Sequence, residues 1–215
     1  MPETPLVQKH LFRMLHIDNL ESCLKNGLFA PNAKFDESYV NIGDSVLIAQ
    51  RGEFSVPIEP CGILSDYVPF YFGGHSPMLL NIKTGFRGIT KRPQSEIIFL
   101  CTHIRDIIDA GLKFCFTDGH AKDKLTSYFN QVSDLNQIDW KLVGDSYWAD
   151  TEDYPDRMRR KQAEFLVKDN VPVSCISGII VHDEVVAVKV REIMDRVGVQ
   201  LPIHIDKKHN YYYND

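Results

Sequence analysis

The stretch RMRRKQAEFLV, residues 157–167, decides how the rest of the chain is read. It sets Glu164 inside a run patterned like a buried strand, straight after Arg157, Arg159, Arg160 and Lys161. If 162–167 is a strand, side chains alternate with period two, so Gln162 and Glu164 share one face and Ala163, Phe165 and Val167 the other. The apolar set then meets a core and the polar pair a cleft. A carboxylate at a cleft edge can bind a ribose hydroxyl or stabilise a developing oxocarbenium ion. A solvent-facing glutamate at a strand end fits the same letters.

Outward from this segment, the 215 residues are 44% hydrophobic and 25% charged. That is the make-up of an ordinary globular protein, and the length predicts one domain. No stretch approaches the roughly 18 apolar residues of a membrane span. The start MPETPLVQKH lacks the apolar segment of a signal peptide, so the expected location is the cytoplasm. Cys23, Cys61, Cys101, Cys115 and Cys175 are odd in number and show no C-x-x-C spacing, which argues against a disulfide framework and a zinc site. A net charge of -5 offers no global attraction for nucleic acid, so polyanion binding would rest on local patches.

Apolar spacing, with Gly27 as a stop, predicts a short strand and then a helix over 11–26. Residues 32–60 read as a polar, irregular region with a helical turn at 45–50, long enough to be a functional loop. Short β-branched and aromatic runs at 67–72, 78–82, 96–100, 114–116, 165–167 and 176–181 read as strands. Helical patterns fall at 102–110, 120–132 and 184–197, without a regular βαβ alternation. The expected class is α+β.

Four further stretches carry candidate chemistry. The basic run 157–161, with Tyr147, Trp148 and Tyr154 nearby, has the cations and rings that a single-stranded nucleic acid needs. A solvated loop is the other reading, since Asp150, Glu152, Asp153 and Asp156 offset the charge. SDYVPFYFGGHSPML, with Tyr67 and Tyr71 among its four aromatics, could wall a flat ring or simply pack a hairpin. In FTDGHA, His120 sits where it could meet a phosphate, orient another side chain, or just belong to a helix start. Arg51, in AQRGEF, is a permanently charged fork suited to a pyrophosphate, or a surface arginine. Dinucleotide-fold G-x-G-x-x-G, Walker A, H-E-x-x-H and G-x-S-x-G sequences are absent.

Taken in order, RMLHIDNL, NIGDSVLIAQR, LSDYVPFYFGGHSPMLLNI, FTDGHA, QIDW, SYWAD and RRKQAEFLV resemble the DarT family of bacterial toxins, which are DNA ADP-ribosyltransferases. The resemblance runs from about residue 11 to the C-terminal end. It implies an ADP-ribosyltransferase fold: a split, mostly antiparallel β core with surrounding helices, holding NAD in a central cleft and requiring no metal. Glu164 would be the catalytic glutamate, touching the nicotinamide ribose, with Gln162 beside the incoming base. Arg51 would be the second catalytic residue. An arginine loses its proton only above roughly pH 12, so positioning and charge stabilisation suit it better than proton removal.

The same resemblance assigns NAD to Arg13, to the backbone of Met14 and Leu15, and to Ser22, Leu28, Phe29, Arg51, Tyr67 and Tyr71. Single-stranded DNA falls to the segment 139–161, with Tyr147, Trp148, Arg157, Arg159 and Arg160, and to His120. One branch of the family, which modifies thymine, tends to read H-I-T-H where this chain has Arg13-Met14-Leu15-His16. The arginine, with NIG and NIKTGFRGI, resembles the guanine-modifying branch, although SYWAD and QAEFLV also resemble the thymine branch. A cognate DarG antitoxin, with a macrodomain that removes the mark, is the implied partner. The rivals are an NAD glycohydrolase, for which the basic run has no use, and a non-catalytic single-stranded nucleic-acid binding module, for which Arg51 and Glu164 together have none. An RNA or protein acceptor is a further alternative.

Overall fold

The structure, a computed structural model, describes residues 5–33 and 38–214; the part of the expected irregular region at 34–37 lies outside them. In chain order come β1 (His10–His16), α1 (Leu20–Asn26), β2 (Leu28–Phe29), α2 (Ser45–Arg51), β3 (Tyr67–Tyr71), α3 (Pro77–Thr84), β4 (Ile97–His103), α4 (Ile104–Asp109), β5 (Phe114–Thr117) and β6 (Tyr128–Phe129). They are followed by α5 (Trp140–Gly144), α6 (Arg157–Lys161), β7 (Glu164–Lys168), β8 (Asn170–Val171), β9 (Gly178–Val181), α7 (Glu184–Val197) and β10 (Ile203–Ile205). Eight strands form one sheet in the order β10-β9-β4-β1-β3-β7-β5-β6, antiparallel except for the β10/β9 pair, and β2 pairs with β8.

The sheet is split between β1 and β3. β1 runs beside β4 over its whole length, from His10↔His103 to His16↔Ile97, yet meets β3 only at Phe12↔Tyr71. The chain itself supplies a reason. The Pro69 carbonyl accepts a bond from Arg13 Nη1 at 3.4 Å, so the main-chain polar groups of residue 69 face β1. Proline has no N–H to offer there, and a ladder through that position would lack a bond. The strands part, and the gap becomes a cleft.

Alternation along the strands sorts the cores. Phe165 and Val167 of β7 pack with Leu11, Leu15 and Phe70 and with the buried stripe Val186, Ala187, Val190 and Met194 of α7. On the other face of β1, Phe12 and Met14 join Phe99, Leu79, Ile82 and the C-terminal Tyr212.

The α+β expectation holds, and α7 occupies the very span read as a helix. Three expected elements differ. Residues 78–82 lie in helix α3 and not in a strand, because Ser76 caps it through Leu79 N–H, Pro77 opens it and Gly85 closes it at φ 75°. The helical reading of 120–132 gives way to turns and β6: Asp118 and Asp123 accept from Ser127 and Leu125 N–H, and Thr126 Oγ1 donates to the His120 carbonyl. Such side-chain bonds compete with helix bonds for the same backbone. The strand expected over 162–167 starts only at Glu164, since Gln162 caps α6.

Candidate active site

The cleft between β1 and β3 encloses about 410 Å³ and is lined by Arg13 and Met14 of β1, Tyr67, Pro69 and Tyr71 of β3, Glu164, His120, and the segment 41–51. Asp44 starts α2, accepting from Val46 and Leu47 N–H, and that helix carries Arg51 at its last position. α2 buries none of its residues, so it lies over the cleft rather than within a core. Register sets Glu164 opposite Tyr71, so the carboxylate and the phenol share one face of the sheet.

Glu164 is 3% exposed and held from several sides. Arg51 Nη1 donates to Oε1 at 3.2 Å and Nη2 stands 3.0 Å from Oε2, while Ala121 N–H donates to Oε1 at 3.0 Å. Its own N–H donates to Thr117 Oγ1, which donates in turn to the Gly119 carbonyl. Turn 117–121 thereby fixes both ends of the residue. Burial works against ionisation of this carboxyl. The Arg51 charge, the neighbouring His120 and the bonds from Arg51 and Ala121 outweigh burial and hold its pKa below the usual glutamate value. Burial likewise depresses His120, against the pull of Glu164, so its ring is neutral at neutral pH. Tyr71 is pushed well above the ordinary phenol value, by burial first and then by the Glu164 charge, and donates to the Met78 sulfur at 3.5 Å.

The cleft suits an anionic, hydroxyl-rich ligand. Arg13 Nε is buried without a hydrogen-bond partner, so one cationic donor stands ready for phosphate or ribose oxygens, while Arg51 Nη2 faces the Glu164 carboxylate. The β1 backbone beyond Phe12 has no β3 partner, and Met14 borders the same space. Among the described residues, no group of three or more metal-ligating side chains converges.

Of the residues singled out from the sequence, Arg13, Met14, Ser22, Phe29, Arg51, Tyr67, Tyr71, His120 and Glu164 meet around this cleft. The side chains of Leu15 and Leu28 do not; alternation turns both into the large core, leaving their backbone for any contact. Gln162 is not on the strand, and its amide donates to the Met158 carbonyl at 3.0 Å, so the shared face with Glu164 is a misreading. Glu164 is no surface residue either.

The basic run divides. Arg159 is 9% exposed and spends its guanidinium on Asp118, Asp156 and Thr126, which makes it a tie between α6 and turn 117–121. Lys161 is buried, its amine donating to the carbonyls of Val143 and Asp145. Arg160 is half exposed against Asp156, and Arg157 lies between the rings of Tyr147 and Tyr154, at 5.1 and 5.0 Å. Trp148 Nε1 donates to Tyr213 Oη at 2.6 Å. Sequence reasoning passed over Thr117, Asn41, Asp44 and Met78. The pattern Asp44-Ser45, a cap before an apolar run ending in Arg51, was the available signal for Asp44.

Comparison with known proteins gives a consistent picture. Residues 12–213 match the family described as ssDNA thymidine ADP-ribosyltransferase, DarT. The chain is 36% identical over 195 residues to a DNA ADP-ribosyl transferase of Escherichia coli O127:H6, covering 90% of this chain and 89% of that protein. It superposes on Thermus sp. 2.9 DarT in complex with ADP-ribosylated ssDNA with a TM-score of 0.88 at 33% identity, covering 99% and 100% of the two chains. For the same protein in complex with NAD+, the TM-score is 0.83 at 32% identity, with 97% and 100% covered. Split sheet, buried carboxylate and basic cleft are those of an NAD-dependent DNA ADP-ribosyltransferase. The chain belongs to the DarT family.

Proposed function

We propose that this protein is a single-domain toxin that transfers ADP-ribose from NAD to a base, guanine by preference, in single-stranded DNA. The Glu164–Arg51 pair at the foot of the cleft carries this reading. NAD enters with its phosphates toward Arg13 and its nicotinamide amide against the backbone of Met14 and Leu15, beyond the single contact of β1 with β3. The bond between nicotinamide nitrogen and ribose C1′ breaks, and nicotinamide leaves neutral with the electron pair. The ionised Glu164 stabilises the oxocarbenium ion that remains, inside a site too dry to screen it. The attacking base nitrogen forms the new bond to C1′ and releases a proton. Arg51 is held in its charged form by Glu164 and cannot accept that proton; neutral His120, in the same cleft, can.

Guanine is favoured by Arg13 and the NIG segment, both of which line the cleft, and by the NIKTGFRGI stretch on and after α3. Thymine is the second reading, because the family description names thymidine. Tyr147, Trp148, Arg157, Tyr154 and Arg160 form the aromatic and cationic surface for the unpaired strand. No described helix is long and apolar enough to cross a membrane, and we take the cytoplasm as the place of action, with a macrodomain-bearing DarG antitoxin as partner. Mass spectrometry of single-stranded oligonucleotides carrying one guanine or one thymine, incubated with NAD, tests the base. An adduct of one ADP-ribose on guanine supports the reading, an adduct on thymine alone moves the protein to the other branch, and nicotinamide release without any adduct removes DNA as the acceptor.

A further inference from the structure

A second concavity, of about 480 Å³, lies outside the catalytic cleft, bounded by His75, Ser146, Lys208, His209, Tyr213 and Asn214. It opens where β3 leaves the sheet. Tyr71 borders the catalytic cleft and His75 borders the groove, and four residue steps of chain separate them by at most about 14 Å. Its other wall is Ser146, next to Tyr147 and Trp148 of the proposed DNA segment.

The walls are built. Gly73 and Gly74 let two segments close on the chain: a Cβ on Gly73 would sit 1.9 Å from the Val143 carbonyl oxygen, and one on Gly74 2.5 Å from that of Asn210. Asp206 is buried and accepts from the N–H groups of Asn210, Tyr211 and Tyr212, folding the tail back. Gln94 grips Tyr213 by both its backbone groups, at 2.7 and 2.8 Å. Tyr213 Oη, which takes the Trp148 indole bond, lies 3.1 and 3.0 Å from the carbonyls of His75 and Ser76. Rim and floor are therefore rigid, while Lys208 and His209 stand exposed at the mouth.

One stretch of chain leading to the groove carries charge of a single sign. Residues 67–95 contain no acid and carry Lys83, Arg87, Lys91 and Arg92, in a chain whose net charge is -5. This stretch abuts the tail through Lys83, whose amine donates to the Asn214 carbonyl, and through Gln94. Of the nearby acids, Asp206 is enclosed, and Asp145 accepts from Tyr147 N–H. A polyanion passing the groove meets cations.

Building on the proposed DNA transfer, the geometry points to a second DNA subsite here: the groove takes a nucleotide flanking the target base, with its phosphate on Lys208 and His209 and its sugar against Tyr213. The strand thus runs from the catalytic cleft past Trp148 and Ser146 toward the basic stretch 83–92.

Fluorescence anisotropy without NAD tests this on two labelled single strands, one limited to the target base and its immediate neighbours and one extended on both sides. The double variant Lys208→Ala, His209→Asn removes the ammonium and the imidazole, and asparagine keeps the left-handed backbone that residue 209 adopts at φ 52°. The wild type is expected to bind the extended strand several-fold more tightly. The variant should lose that gain, and its logarithmic salt slope should be shallower by about 0.7 for each phosphate contact removed. Lys189→Ala, on exposed α7, is the control. An equal gain in the double variant, or an equal loss in the control, overturns the subsite. Length-dependent binding through Lys208 and His209 in a protein that modifies no strand would instead keep the subsite and refute the transfer.

Discussion

Glu164 concentrates the chemistry in one side chain, since register, burial and three donors converge on it. Glu164→Gln keeps the shape and removes the charge; ADP-ribose transfer should fall by about 10²- to 10³-fold, as for loss of one preorganised electrostatic stabiliser, with the fold retained by circular dichroism. Arg51→Ala acts differently, for it strands a buried carboxylate. Its unfolding free energy at neutral pH should drop by about 3–5 kcal/mol, measured by urea titration. The pH dependence follows from two depressed groups. Glu164 and His120 both hold pKa values below their ordinary ones, so each contributes stability that is complete above its unfolded value and lost as pH falls through its folded value. Stability and activity should therefore be level from neutral pH upward with respect to these groups. They should decline only below about pH 6.5, first through His120 and then through Glu164. A rate profile that rises on acidification through that range would remove His120 as the proton acceptor.

At the level of elements, the chain could be read wherever local signals stood alone. The heptad-like stripe of α7 and the alternation of Phe165 and Val167 survived folding because each buries against a neighbour that the pattern itself demands. The 78–82 and 120–132 segments were misread where a cap or an Asx turn decided the backbone and apolar spacing did not. Nothing local could reveal that Glu164 would pair with Arg51, 113 residues away, or that Arg159 would turn inward to Asp118. Family resemblance assigned catalytic roles to both members of the first pair without pairing them, and it missed the second. Arg159 is accordingly a test at this scale. Arg159→Ala should cost about 1.5–3 kcal/mol in denaturant unfolding, for charged hydrogen bonds lost between α6 and turn 117–121. Arg160→Ala, half exposed, should leave stability nearly unchanged and weaken binding to single-stranded DNA. The reverse pattern would make Arg159 the nucleic-acid contact.

Across the whole molecule, one broken ladder organises the rest. Pro69 denies β1 a partner, the sheet parts, α2 lies over the opening with Arg51, and β7 brings Glu164 to its foot from a strand whose opposite face is core. Phe165→Ala, beside Glu164 on that core face, should cost about 3–5 kcal/mol in thermal or denaturant unfolding. It should also lower activity only through the folded fraction. With a net charge of -5, attraction for DNA rests on local surfaces, so binding of single strands should weaken steeply with added salt. The most direct test of the account follows adenine-labelled NAD onto DNA. The wild type and Glu164→Gln would be incubated with labelled NAD and single-stranded DNA, and covalent label on the DNA counted after denaturing purification. The account predicts label on DNA with the wild type and a loss of at least about 100-fold in the variant, with NAD still bound. Equal label from both proteins, or nicotinamide release by the wild type with no label on DNA, would contradict it.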